Sequence, residues 1–283
     1  MNPPVSLPSS ELFTHEAMRT TFSLRLICDD GELAAGAARE CFYLLDDIET
    51  KLSRFLDGSD VFRINRMHAG ETLYLSETCH QCLLLAMEAF VLTGGLFDVT
   101  LGARIEHRKT GSGGPLPPLA GKLVIHPDVP AITCETPGRE IDLGGIGKGF
   151  ALDQMGALLL DWGVSGALLA AGASSLLAVG SGAWPVELAG EVEARRLVLT
   201  AQALGASGTE MQGRHIVHPR GDESGETYLS NRVWAVAKTA TCAEAWSTAL
   251  MLMSQEEVSA AIVRQDTLSH AYAELNGRVE ELK

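Results

Sequence analysis

Basic residues are in short supply in this chain of 283 residues: 22 Lys and Arg stand against 36 Asp and Glu, a formal net charge of −14 at pH 7. Such a field repels polyanions, which argues against nucleic acid as a partner. An anionic ligand would need a local device such as a metal ion, a lysine or a helix N-terminus. Cysteine is sparse too. The six are scattered and lack the density of a disulfide scaffold, so a reducing compartment fits. Cys79-His80-Gln81-Cys82 is a lone CxxC followed by Leu83, without zinc-ribbon or haem-attachment spacing, and is expected to be two half-buried helical cysteines. A long apolar run is also missing. Residues 162–186 carry no charge, but Gly163, Gly166, Gly172, Gly180 and Gly182 break them into strand, loop, strand, so no integral membrane segment is expected. The first residues, MNPPVSLPSSELF, have neither a basic nor an apolar signal region, which makes the cytoplasm the default expectation and residues 1–14 a flexible lead.

What is present suffices for a large core: 46 % of residues are hydrophobic and 20 % charged, a balance that excludes wholesale disorder. Residues 20–28 alternate as a half-buried strand. Over residues 34–55, Ala38, Phe42, Leu45, Ile48 and Leu52 form one helical stripe. Ser76 is placed to cap a helix running to about Thr93, with Leu83, Leu84, Met87, Phe90 and Val91 inward and Gly94-Gly95 as its stop. Residues 108–120 are rich in Gly and Pro and read as a surface loop. Residues 142–149 (DLGGIGKG) lead into a helix over 150–162. A strand follows at 234–240 and an apolar helix at 242–253. Ser254 to Glu257 form a capping box, and Asn276-Gly277 turns a hairpin. Strands and helices mix without a strict βαβ beat, which predicts one interleaved α/β domain over residues 1–283.

Three groups of residues carry chemistry. The glycines at 144, 145, 147 and 149 with Lys148 would let backbone N–H groups and an ammonium approach a phosphate. The same cluster also suits a tight turn that packs helix on strand, and neither the Walker A nor the GxGxxG spacing is met. Glu244 and Thr248 are four apart, so a helix places two oxygen donors on one face, enough for Mg²⁺, which completes its shell with phosphate and water. The competing reading is a first-turn surface glutamate favoured by the helix dipole and a threonine bonded back to its own helix. Asp98 and Thr100 point the same way if their segment is extended, as do His215 and Val217.

In order along the chain, LSRF at 52–55 with Asn65, FDVT at 97–100, DLGGIGKGFALD at 142–153, residues 167–180, HIVHPR at 215–220 and AEAWSTA at 243–249 resemble the FAD:protein FMN transferases, the ApbE family. The resemblance implies an ApbE-like α/β (α+β) fold, a mixed and largely antiparallel sheet packed with helices. It further implies a transferase that binds FAD in a cleft with Mg²⁺ on its pyrophosphate and passes FMN to a threonine of an acceptor protein, releasing AMP. Carried over by position, it makes the Gly147 carbonyl, Glu244 and Thr248 the metal ligands. Lys148 would neutralise a phosphate, and Asn65, Asp98, Thr100, Ser174 and His215 would contact the flavin nucleotide. Asp98 and His215 are the catalytic candidates, with Asp98 favoured as the proton acceptor.

The chain departs from the family pattern at several positions: Glu244 where Asp is usual, Ala170 for Asn, Ala173 for Gly, His218 for Asp and Val99 for Pro. These keep two other readings open, a flavin-binding protein without transferase activity and a hydrolase that splits FAD into FMN and AMP.

Overall fold

The computed structural model describes residues 10–111, 114–209, 216–219, 230–264 and 267–283. The first half contains β1 (Glu11–Ala17), β2 (Thr20–Ile27), α1 (Gly31–Leu52), α2 (Asp60–Ile64), β3 (Glu71–Tyr74), α3 (Glu77–Leu92), α4 (Gly102–Thr110), β4 (Lys122–Ile125) and β5 (Ala131–Thr136). The second half contains α5 (Gly147–Asp161), β6 (Gly166–Ala171), β7 (Ser175–Gly180), β8 (Trp184–Leu188), β9 (Arg195–Leu199), β10 (Ala203–Gly208), β11 (Arg232–Ala237), α6 (Ala240–Leu252), α7 (Gln255–Arg264), β12 (Leu268–Leu275) and β13 (Arg278–Glu281).

Eight strands form the main sheet in the order β1-β2-β6-β7-β10-β11-β12-β13. All of its pairings are antiparallel. Among the described residues, parallel pairing is limited to the isolated bridges Leu101↔Glu140 and Glu193↔Arg278. Alternation along the strands divides the apolar residues between two faces. Phe22, Leu24, Leu26, Leu169, Val233 and Ala235 join Leu45 and Ile48 of α1, Phe150 and Met155 of α5 and Trp246 of α6 in one core. On the opposite face Leu204, Trp234, Val236 and Tyr272 meet Trp184, Leu188 and Leu199 of the β8–β9 hairpin.

Two glycines set how closely α6 is held. A Cβ on Gly205 of β10 would lie 2.3 Å from the Ala243 carbonyl oxygen, and one on Gly149 of α5 would lie 2.5 Å from that of Ala240. Both distances are far below contact, so α6 reaches β10 and the start of α5 only because these positions lack side chains.

Several local expectations hold. The α1 stripe is buried at Ala38, Leu45, Ile48 and Leu52, and the Ser76 hydroxyl accepts from the Cys79 amide. In the capping box, the Ser254 amide donates to Glu257 and the Glu257 amide donates to the Ser254 hydroxyl. Asn276 and Gly277 turn the last hairpin at φ 53° and 77°. Residues 162–186 contain β6, β7 and the start of β8, and no helix among the described residues is long and apolar enough to cross a membrane.

Other expectations are corrected. Residues 11–14 belong to β1 and pair with β2 rather than forming a flexible lead. Residues 108–110 are the last turn of α4, and the loop begins at Gly111, whose φ of 62° ends the helix. On α3, Met87, Phe90 and Val91 face solvent. The buried positions are Cys79, His80, Cys82, Leu83, Ala86 and Ala89, mostly small residues. The two cysteines are therefore fully rather than half buried, and burial pushes both thiols well above their ordinary range.

Candidate active site

Helix α5 starts in the glycine cluster, with Ile146 at its N-cap, a residue whose side chain caps none of the first N–H groups. One of those groups finds a partner on another helix: the Gly149 amide donates to Glu244 Oε2 at 2.8 Å. The other carboxylate oxygen, Oε1, faces Lys148 Nζ at 2.8 Å and accepts from the hydroxyl of Ser175, which is fully buried. Glu244 is only 4 % exposed. It is therefore no surface residue of a first turn, but an anion enclosed by an ammonium, an amide and a hydroxyl, the provision a buried charge requires.

Asp153, one turn further along α5, braces the same junction. Its Oδ1 accepts from the Ala240 amide at 2.7 Å, and its Oδ2 accepts from the amide and hydroxyl of Thr241 at 2.9 and 2.5 Å. Burial raises its carboxyl above the ordinary value of 3.8. The bonds from Thr241 and Ala240 oppose that rise, and the charge of Glu244 adds to it.

The loop before α5 is fixed from the other side. Asp142 Oδ1 accepts from the Gly144 amide at 2.7 Å, and its Oδ2 is 3.1 Å from Nη1 of Arg54. That guanidinium also donates to the Gly102 carbonyl at 3.0 Å and pairs with Glu140 at 2.7 Å. Asn65 uses both ends of its amide on one residue: Nδ2 donates to the Ile141 carbonyl at 2.9 Å, and Oδ1 accepts from its amide at 2.7 Å. Residues 98–102 are tied to this loop because the Asp142 amide donates to the Val99 carbonyl and the Gly102 amide to that of Glu140.

Asp98 and Thr100 lie in a turn, not in an extended segment. Asp98 Oδ1 accepts from the amide and hydroxyl of Thr100 at 2.8 and 2.7 Å, while its Oδ2 faces Arg139 at 3.6 Å. The motif segments converge at Gly145, where a Cβ would be 3.2 Å from the Phe97 ring and 3.7 Å from the Thr248 hydroxyl. That hydroxyl accepts or donates no hydrogen bond in the described part of the chain.

The fold thus gathers Asn65, Asp98, Thr100, Gly147, Lys148, Glu244 and Thr248 around the loop of residues 142–149. Ser174 is adjacent, its hydroxyl 3.4 Å from that of Ser175, but the serine bonded to Glu244 is Ser175. His215 lies outside the described residues. Reading the sequence by motif passed over Ser175, Arg54 and Asp153 as site residues, although Arg54 and Asp153 stand inside the LSRF and DLGGIGKGFALD blocks.

Among the described residues there is no group of three or more His, Cys, Asp or Glu placed to hold a metal. The Glu244 carboxylate, the Thr248 hydroxyl and the Gly147 carbonyl would offer oxygen donors only, the type that suits a hard divalent cation keeping water and phosphate in its shell. The ammonium already seated on Glu244 shows that a positive charge is accommodated at that carboxylate.

An antiparallel sheet with helices on one face, whose glycine-rich helix start meets a buried glutamate and a lysine, defines an α/β protein in which a carboxylate and an ammonium face one another at a helix N-terminus. The ApbE family model matches residues 18–272, and the chain belongs to the ApbE family. It is 21 % identical over 299 aligned positions to the FAD:protein FMN transferase of Salmonella typhimurium, spanning 91 % of this chain and 83 % of that one. Among solved structures, the apo flavinyl transferase ApbE of Pseudomonas stutzeri superimposes with a TM-score of 0.82 at 21 % identity, covering 99 % of this chain and 96 % of that chain. The ApbE protein of Thermotoga maritima gives 0.80 at 21 % identity with 97 % of each chain covered. The flavin transferase ApbE of Vibrio cholerae gives 0.77 at 18 % identity with 96 % and 97 % covered.

Proposed function

We propose that this protein is a Mg²⁺-dependent FAD:protein FMN transferase, which moves FMN from FAD to a threonine hydroxyl of an acceptor protein and releases AMP. The observation that carries this reading is the enclosure of Glu244 by Lys148, Gly149 and Ser175 beside the open hydroxyl of Thr248, at the mouth of the glycine-rich helix start. Family membership and the flavin-transferase relatives support it.

Glu244, Thr248 and the Gly147 carbonyl would hold the cation. A divalent cation supplies charge neutralisation on the pyrophosphate, making the FMN phosphorus a better electrophile. The chain's own groups do the rest. Lys148, at the helix start and with its side chain 23 % exposed, would neutralise a phosphate oxygen. The cross-linked loop at 140–145 fixes the spacing between Lys148 and the Asp98 turn, so that nucleophile and phosphorus meet in a set orientation. As the acceptor oxygen bonds to the FMN phosphorus, the bond from that phosphorus to the bridging oxygen breaks and AMP leaves with the oxygen. Asp98 takes the hydroxyl proton and later returns it to water.

Incubating the protein with FAD and Mg²⁺, with and without an acceptor, tests this directly. Equal amounts of AMP and flavinylated acceptor support transfer. AMP with free FMN would instead identify a pyrophosphatase, and bound FAD that never yields AMP a flavin-binding protein.

A further inference from the structure

We infer that Lys148 couples cation binding to nucleotide binding at this site: its ammonium and a divalent cation compete for the Glu244 carboxylate, and the ammonium displaced by the cation turns to the phosphates of the incoming nucleotide. The inference rests on the cation-dependent reading of the site given above and adds a regulatory role for one side chain.

Glu244 is buried, and its anchors on two sides are rigid: the Gly149 amide belongs to a helix backbone, and Ser175 is fully buried at the start of β7. Glu244 is thereby held in place. Lys148 is the movable partner, since its side chain is 23 % exposed against 5 % for that of Glu244, and it hangs on a flexible four-carbon stem. A buried carboxylate needs a positive charge beside it. The ammonium at 2.8 Å from Oε1 provides that charge, and a divalent cation on the same carboxylate would provide it as well. Both together would set like charges within a few ångströms of one another in a poorly solvated place, where repulsion is strong. The two are therefore alternatives.

Displacement has a second consequence. Lys148 precedes Gly149 in the first turn of α5, where the helix dipole favours anions, so a lysine released from Glu244 is next to the position a phosphate would take. The cation frees the lysine and the lysine strengthens the nucleotide's hold. By linkage the nucleotide then tightens the cation to the same degree.

The test uses the intact protein, stripped of divalent cations by chelation and titrated with Mn²⁺ while free Mn²⁺ is followed by electron paramagnetic resonance. Without nucleotide, Lys148→Met and Lys148→Gln should bind Mn²⁺ about 5- to 150-fold more tightly than the parent, the usual range of such couplings. Lys148→Arg keeps the competing charge and should stay close to the parent. Neutral variants that melt like the parent yet bind Mn²⁺ no more tightly overturn the inference alone, provided parent binding is lost in Glu244→Ala. Absence of Mn²⁺ binding by the parent, with or without FAD, overturns the cation reading and the inference together. A measurement on the parent protein covers variants that fold poorly: the NMR signal of the Lys148 ammonium, protected from exchange by its bond to Glu244, should be lost on saturation with Mg²⁺. A signal unchanged at saturation contradicts the exchange of partners.

Discussion

The Gly149 amide lies 2.8 Å from Glu244 Oε2, and this bond joins the backbone at the start of α5 to the second turn of α6. Because a Cβ on Gly149 would sit 2.5 Å from the Ala240 carbonyl oxygen, glycine at this position and glutamate on the facing helix depend on one another. Gly149→Ala should push the two helices apart. The expected cost is about 1–3 kcal/mol, as for other overpacked interiors. Urea unfolding should register it together with weakened FAD binding.

Removing the carboxylate has a different signature. Glu244→Ala strands Lys148 and leaves the Ser175 hydroxyl and Gly149 amide without their acceptor, so the loss should be about 3–5 kcal/mol, typical of breaking a buried pair. An exposed first-turn glutamate would cost only ~0.3–1 kcal/mol through the helix dipole. Chemical denaturation separates the two cases. Turnover should vanish in either event if Glu244 is a metal ligand.

The burial of Glu244 could not be read from the sequence. The spacing of Glu244 and Thr248 predicts that they share a helix face, and they do lie on α6. How deep that face sits depends on Gly149 and Gly205, which let α6 approach α5 and β10, and local pattern does not reveal this. The same holds for Ser175 against Ser174. Neighbouring side chains at the start of a strand point to opposite sides, and the pairing of Ser175 with Gly205 decides which one meets Glu244. On α3 the packed face is built mainly of cysteines and alanines beside Leu83 and His80, so the larger Met87, Phe90 and Val91 misled a reading by hydrophobicity alone. Strong local signals survived: the α1 stripe, the glycine-rich start of α5, the capping box at Ser254 and the Asn276-Gly277 hairpin.

Asp153 gives a prediction in pH. Its carboxyl is raised above 3.8 in the folded protein, so the folded state holds the proton more tightly than the unfolded chain. The stability this provides is fully present below 3.8 and is lost as pH rises through the folded value. The stability difference between the parent and Asp153→Asn should therefore shrink as pH is raised above about 4. Asparagine would also turn an N–H₂ group toward amide donors, costing about 1–3 kcal/mol. Denaturant titrations of both proteins across pH 4 to 7 give slope and offset together.

Arg54 is expected to act through the loop it holds. Arg54→Lys keeps the charge but cannot reach Gly102, Asp142 and Glu140 at once, so it should lower kcat more than it raises KM for FAD. A rise in KM alone would assign Arg54 to nucleotide binding instead.

Asp98 is the group on which the chemistry is staked. Asp98→Asn conserves shape and removes the basic lone pair, so transfer should fall by about 10² to 10⁴ while FAD affinity changes little.

The most direct test of the account is the mass of an acceptor protein with one modifiable threonine after incubation with this protein, FAD and Mg²⁺. The account predicts a gain equal to one FMN group less water, matched mole for mole by AMP, and no gain when that threonine is replaced by valine or when Mg²⁺ is chelated. An acceptor of unchanged mass under conditions where FAD is bound and Mg²⁺ is saturating, with an established flavin transferase modifying the same acceptor in parallel, would contradict it.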